Sequence, residues 1–207
     1  MCVPQSLSIP SLQEAAHTGS GVIIAEISRP VNGTSRDVAA LAQRCLAAGA
    51  DAVAVKTDLP DGLRDLWVVA QSVPQHVPVL RRCATRVCTH NLPTPHTTRD
   101  WILHPIQVVE AKEAGASGVL GCVAQVLSSG APLLSGYAAA VGMDAPVEVV
   151  NLLEVETLAA AGVPMFGINI GVGLSLSVPG AADSIARVGR LCTTTLSVLV
   201  SPHDGRG

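Results

Sequence analysis

Aromatic residues are nearly absent from this 207-residue sequence: two Trp, one Tyr and one Phe, 2% of the chain. That excludes a surface built to stack successive bases on aromatic rings. Charge is sparse too, at 14% of residues, and 13 Lys and Arg against 16 Asp and Glu leave a net charge of −3. A phosphate-backbone binder needs clustered cations, so nucleic acid is not an expected partner. Long hydrophobic runs are also missing. Despite 48% hydrophobic residues and a mean hydropathy of +0.44, Gly, Pro or charge interrupts each apolar run after about five to eight residues, short of the roughly 20 that span a bilayer. No membrane span is expected. The six cysteines (Cys2, Cys45, Cys83, Cys88, Cys122 and Cys192) are too dilute for a secreted disulfide scaffold and point to a reducing compartment, the cytoplasm or an organellar stroma or matrix. Residues 1–9 show neither a basic, apolar leader nor an Arg-rich presequence.

What the sequence does have is a repeat. LAQRCLAAGADAVAV from Leu41, VVEAKEAGASGVLGCV from Val108 and LEVETLAAAGVPMFGIN from Leu153 each run from an Ala-rich helix through a glycine (Gly49, Gly115, Gly162) into a short apolar strand. Glycine closes a helix in the left-handed conformation at little steric cost, and an apolar run just beyond it suits a strand buried on both faces. Extending the pattern gives strands near 21–27, 52–57, 77–80, 118–123, 145–149, 165–168 and 195–200, and helices near 35–48, 62–72, 105–114, 133–141, 152–161 and 181–188. Seven strands alternating with helices predict an α/β fold with a parallel sheet, closed as a barrel or wound open. The length fits a single domain, 1–207.

In both architectures chemistry gathers at the carboxyl ends of the strands. Those ends carry Glu26, Lys56, Arg81 with Arg82, Glu148 and Asn169. Glu26 and Glu148 each interrupt an apolar strand, where an unpaired carboxylate is costly to bury; each is either half of a structural ion pair or an acid/base group. Asn169 can equally be a turn former. Gly171 and Gly173 follow a strand and can offer backbone N–H groups to a phosphate, although the motif lacks the third glycine of a dinucleotide fingerprint. RCATRVCTHNLPTPHTT, 82–98, reads as an inserted loop. Its Cys83, Cys88, His90 and His96 suit zinc by chemistry but not by the spacing of common fingers, which favours a solvated loop and no metal.

These strand-end residues resemble the indole-3-glycerol-phosphate synthase family. VIIAEISRP resembles the family's V-I-A-E-[IV]-K-[KR]-x-S-P-S, and AGADAVAVKTD with GLRDL resembles A-G-A-x-A-[IL]-S-V-L-T-[DE] with S-L-E-D-L. PVLR and RDWILHPIQVVEAKEAGASGVL are similar to P-V-L-R-K-D-F and the segment that follows it, VEVVNLLEVETLAAAG to L-V-E-V-H-x-x-x-E-L-x-x-A, and FGINIGVGL to I-G-[IV]-N-N-R-[ND]-L. The matches keep family order from about Val22 to Leu174.

The resemblance implies a TIM-type (βα)8 barrel, a carbon-carbon lyase reaction of tryptophan biosynthesis on a phosphorylated small molecule, and no metal or organic cofactor. It aligns Glu26, Glu148 and Asn169 with family site residues. It also exposes departures: Ser28 stands where the family has a substrate-binding lysine, Gly171 at or near the place of an arginine, and the general-acid lysine falls on Arg82 or, with the insert placed first, on Arg99, the preferred alignment. Arginine keeps the charge but is a poor proton donor. With no eighth strand-helix unit read after residue 200, two strand edges are expected to stay open and to invite a protein partner or self-association. The expectation is a barrel with seven strands whose synthase reaction is lost or weakened and which serves in binding or assembly. The alternative is an active synthase that uses Lys56 or Arg99 as its acid.

Overall fold

The computed structural model describes residues 23–83, 101–168 and 196–198. Strands β1 (Ile24–Ile27), β2 (Ala52–Lys56), β3 (Val79–Arg82) and β4 (Gly118–Leu120) form one parallel sheet in that order. Strands β5 (Cys122–Val123), β6 (Val147–Val149), β7 (Phe166–Ile168) and β8 (Leu196–Val198) form a second. β4 and β5 are the two halves of the expected strand at 118–123, broken at Gly121. The order along the two sheets is thus that of a partial barrel. Helices α1 (Ser35–Ala47), α2 (Gly62–Ser72), α3 (Pro105–Glu113), α4 (Ala124–Leu127), α5 (Ala131–Ala140) and α6 (Leu152–Ala160) alternate with the strands. The expected helix at 181–188 lies outside the described residues. Among the described residues no helix is long and apolar enough to cross a membrane.

Alternation along each strand divides the apolar residues between two faces. Val53, Val55, Val79 and Val119 join Val38, Leu66, Val69 and Val108 of the helices in the main core. Ala54, Leu80 and Leu120, with Ile24 packed on them, form a small cluster on the opposite face, the barrel interior. The helices start where local chemistry satisfies their free N–H groups. Asp37 Oδ2 accepts from Thr34 N (2.7 Å) and Thr34 Oγ1 (2.8 Å), which lowers the Asp37 pKa. Asn151 Oδ1 accepts from Glu154 N at 2.9 Å. The helices α1, α3 and α6 run into Gly49, Gly115 and Gly162 at φ of +101°, +86° and +87°, the closing conformation that the repeat predicts.

Three expectations change. The strand expected at 77–80 runs to Arg82, because Arg81 and Arg82 find partners on opposite faces of the sheet. The two residues expected to open the insert at 82–98 still belong to the sheet, Arg82 in β3 and Cys83 through its N bonded to Leu120 O at 3.3 Å, and 84–98 lie outside the described residues. The chain after β5 forms α4 and a short 3-10 turn (Ser128–Gly130) that no periodicity announced, with Ser128 at φ +48° where α4 passes into the turn.

Gly121 matters most for the site. Its φ is +102°, and a Cβ there would lie 2.8 Å from the Cys83 carbonyl oxygen. Leu120 faces the interior, so strict alternation would turn Cys122 inward as well. The kink resets the phase: Cys122 enters the helix-side core, and its neighbour Val123 comes into register with Glu148.

Candidate active site

β1, β2 and β3 present Glu26, Lys56 and Arg82 on the interior face, one residue from each strand end or at it. Lys56 and Arg82 are register partners, and Glu26 lies across from Ala54, two residues before Lys56. The four charged groups form a ladder. Lys56 Nζ lies 2.7 Å from Glu26 Oε1, Arg82 Nε 3.1 Å from Glu26 Oε2, and Arg82 Nη1 donates to Glu148 Oε1 at 2.7 Å. The Arg82 Nε contact is Coulombic, without the alignment of a hydrogen bond. Glu148 is 6% exposed and Lys56 28% at their side chains, so the ladder runs from a buried carboxylate to a partly open ammonium. Both acids thus have the partners that burial demands.

The structure separates the two arginines. Arg82 joins the ladder, although the insertion-first alignment favoured Arg99. Leu80 is interior, and alternation therefore carries Arg82 inward. Arg81, the other cation that the sequence places at this strand end, points the other way: its Nε donates to Thr57 Oγ1 (3.1 Å) and its Nη1 to Gln107 O (2.8 Å) and Glu110 Oε2 (3.2 Å), in the layer between sheet and helices. Ser28 follows β1 and is exposed. Next to it, Arg29 ties the loop to α2, with Nε 2.9 Å from Asp65 Oδ2 and Nη2 2.5 Å from Oδ1. That hydrogen-bonded pairing raises the Arg29 pKa against the opposing effect of burial. Arg99, Asn169 and Gly171 lie outside the described residues.

Cys88, His90 and His96 lie outside them as well. Cys83, the fourth of that set, is buried, with its Sγ 3.7 Å from Thr57 Oγ1. Among the described residues no three His, Cys, Asp or Glu side chains are grouped to hold a metal.

Cys122 borders the site. Burial above all, and then the Glu148 carboxylate and Cys83, push its thiol pKa well up. The thiolate is the reactive form. Iodoacetamide at about pH 8 should therefore modify half-buried Cys45 faster than Cys122 by more than about tenfold. Peptide mapping reads the two rates, and equal rates would contradict the buried, neutral thiol. Because the folded pKa is raised, this thiol favours the folded state below the unfolded value of about 8.5 and loses that contribution as the pH climbs beyond it.

Comparison with solved structures gives the fold. The 2-keto-3-deoxy-6-phosphogluconate aldolase of Zymomonas mobilis matches with a TM-score of 0.63 at 16% identity, over 96% of this chain and 78% of that one. The tryptophan synthase alpha chain of Legionella pneumophila matches with 0.63 at 12%, over 93% and 77%. Curated sequences are nearer. The indole-3-glycerol phosphate synthase of Koribacter versatilis is 33% identical over 77% of this chain and 56% of its own length, and that of Opitutus terrae 31% identical over 77% and 59%. The chain therefore spans somewhat over half the length of these relatives. The sequence profile described as indole-3-glycerol phosphate synthase matches residues 8–172. With a TIM-type parallel sheet, the ladder on its interior face and that match over most of its length, the chain belongs to the indole-3-glycerol phosphate synthase family.

Proposed function

We propose that the chain catalyses ring closure of 1-(2-carboxyphenylamino)-1-deoxyribulose 5-phosphate to indole-3-glycerol phosphate, with loss of carbon dioxide and water. Closure joins the ring carbon that bears the carboxylate to the ketone carbon. The ketone oxygen takes up a proton, carbon dioxide leaves, and the hydroxyl so formed departs as water with a second proton while the adjacent methylene carbon, bonded to nitrogen, gives up a proton to form the indole double bond. The reaction needs a proton donor at the cavity. The observation that carries this reading is Lys56, an ammonium on the interior face 2.7 Å from Glu26 and still partly open to solvent. A lysine can be tuned to give up a proton near neutral pH, whereas Arg82 cannot serve. Glu26 orients the ammonium, and Arg82 pairs with Glu148 beside the same cavity.

A second reading is binding without turnover. It is favoured by Arg82, a cation at the end of β3 that cannot donate a proton and is already engaged by two carboxylates. The barrel would then bind a phosphorylated small molecule or serve in an assembly. Incubation of the purified chain with the carboxyphenylamino substrate decides between them. Indole fluorescence rising above the uncatalysed background is the expected result. Calorimetric binding with no indole formed would replace the first reading with the second.

A further inference from the structure

Lys56 and Arg82 meet on Glu26 from adjacent strands, so the distance between their backbones sets whether one carboxylate can serve both. The opposite face of the sheet holds the same two strand ends together. Thr57 follows Lys56 and Arg81 precedes Arg82; by alternation both point away from the cavity. There the Arg81 Nε donates to Thr57 Oγ1 at 3.1 Å, while within the sheet Thr57 N donates to Arg82 O at 3.0 Å. The guanidinium is anchored in turn on α3, by Gln107 O at 2.8 Å and Glu110 Oε2 at 3.2 Å. Arg81 is 4% and Thr57 5% exposed. A cation so deeply buried is costly without specific partners, and its partners here bridge the residues flanking the two interior cations.

We infer that Thr57 and Arg81 are positioning residues, which act through Lys56 and Arg82 from behind the sheet and touch no substrate. The chain offers a clean probe, because it has only two lysines, Lys56 and Lys112. Lys112 is exposed on α3 and serves as an internal reference. Reductive methylation of the intact chain, quantified by peptide mass spectrometry, reports how well Glu26 sequesters the Lys56 amine. Thr57→Val removes the hydroxyl at nearly constant volume, and Arg81→Met and Arg81→Lys test the guanidinium.

Relative to Lys112, Lys56 labelling should rise by about two- to tenfold in Thr57→Val and Arg81→Met, the equilibrium equivalent of one ordinary hydrogen bond. Arg81→Lys should restore part of it. Unchanged Lys56 labelling in Thr57→Val, with a native circular dichroism spectrum, would overturn the inference even if Arg81→Met fails to fold. A kinetic arm rests on the proposed synthase reading: Thr57→Val should lower kcat and leave KM within about twofold, since the lost contact faces away from the cavity. A rise in KM at constant kcat would count against positioning. A wild-type chain without turnover would remove the synthase reading while the labelling still decides the role of Thr57 and Arg81.

Discussion

Lys56→Met should reduce indole formation by about 10² to 10⁴, the usual consequence of removing a positioned proton donor. Methionine keeps the length and packing of the stem, so the loss falls on the amine. Two features make the effect specific. Glu26 loses the partner at 2.7 Å but retains Arg82 at 3.1 Å, so its charge is not left uncompensated. Lys56→Arg should fail to restore turnover even though it keeps the ion pair, because arginine does not release its proton near neutral pH. Steady-state kinetics on the three proteins reads this directly. Full activity in Lys56→Met would mean that the proton comes from another group. Glu26→Gln should show a smaller loss, as the ammonium survives there without its orienting carboxylate.

Gly62→Val should destabilise the fold by more than about 3 kcal/mol. Gly62 is the first residue of α2, and its backbone lies against the end of β2. A Cβ at this position would stand 2.4 Å from Thr57 Cα and 2.7 Å from Thr57 C and O. None of these atoms can rotate away, so either the helix or the strand must move. Either movement disturbs Thr57, which bonds Arg81 and follows Lys56. Gly130→Ala is the matched control: nothing lies within 4 Å of its added carbon, and the change should stay within about 0.5 kcal/mol. Urea unfolding midpoints compare the two, and equal midpoints would show that the Gly62 contact yields without cost.

The sequence carried the scaffold in a form that local chemistry could read. Ala-rich helices running into Gly49, Gly115 and Gly162, each followed by a short apolar run, fixed most boundaries to within a residue or two. Glu26 and Glu148 stood out because carboxylates inside apolar strands require partners. The facing of Arg81 and Arg82 was not legible in the same way. Two adjacent residues of one type on a strand must point to opposite faces, and their composition does not say which is inside. Only the register of Val79 and Leu80 sets that phase. Gly121 hid for a related reason: GVLGCV reads as one apolar strand, and the cost of a side chain at Gly121 depends on the Cys83 carbonyl, 38 positions earlier in the chain. The short helix α4 carries too few residues to show a period.

The strand broken at Gly121 also divides the apolar interior. The larger helix-side core belongs with β1 to β4 and the smaller one with β6 and β7, and Leu127 packs against both. Such divisions often mark cooperative units that open separately. Among the ion pairs of the described residues, Arg82 with Glu148 is the one that joins the two sheets. An excursion that opened the second unit would release Glu148 into solvent while Glu26 and Lys56 stayed together, so the charged ladder is also a latch between two halves of the barrel.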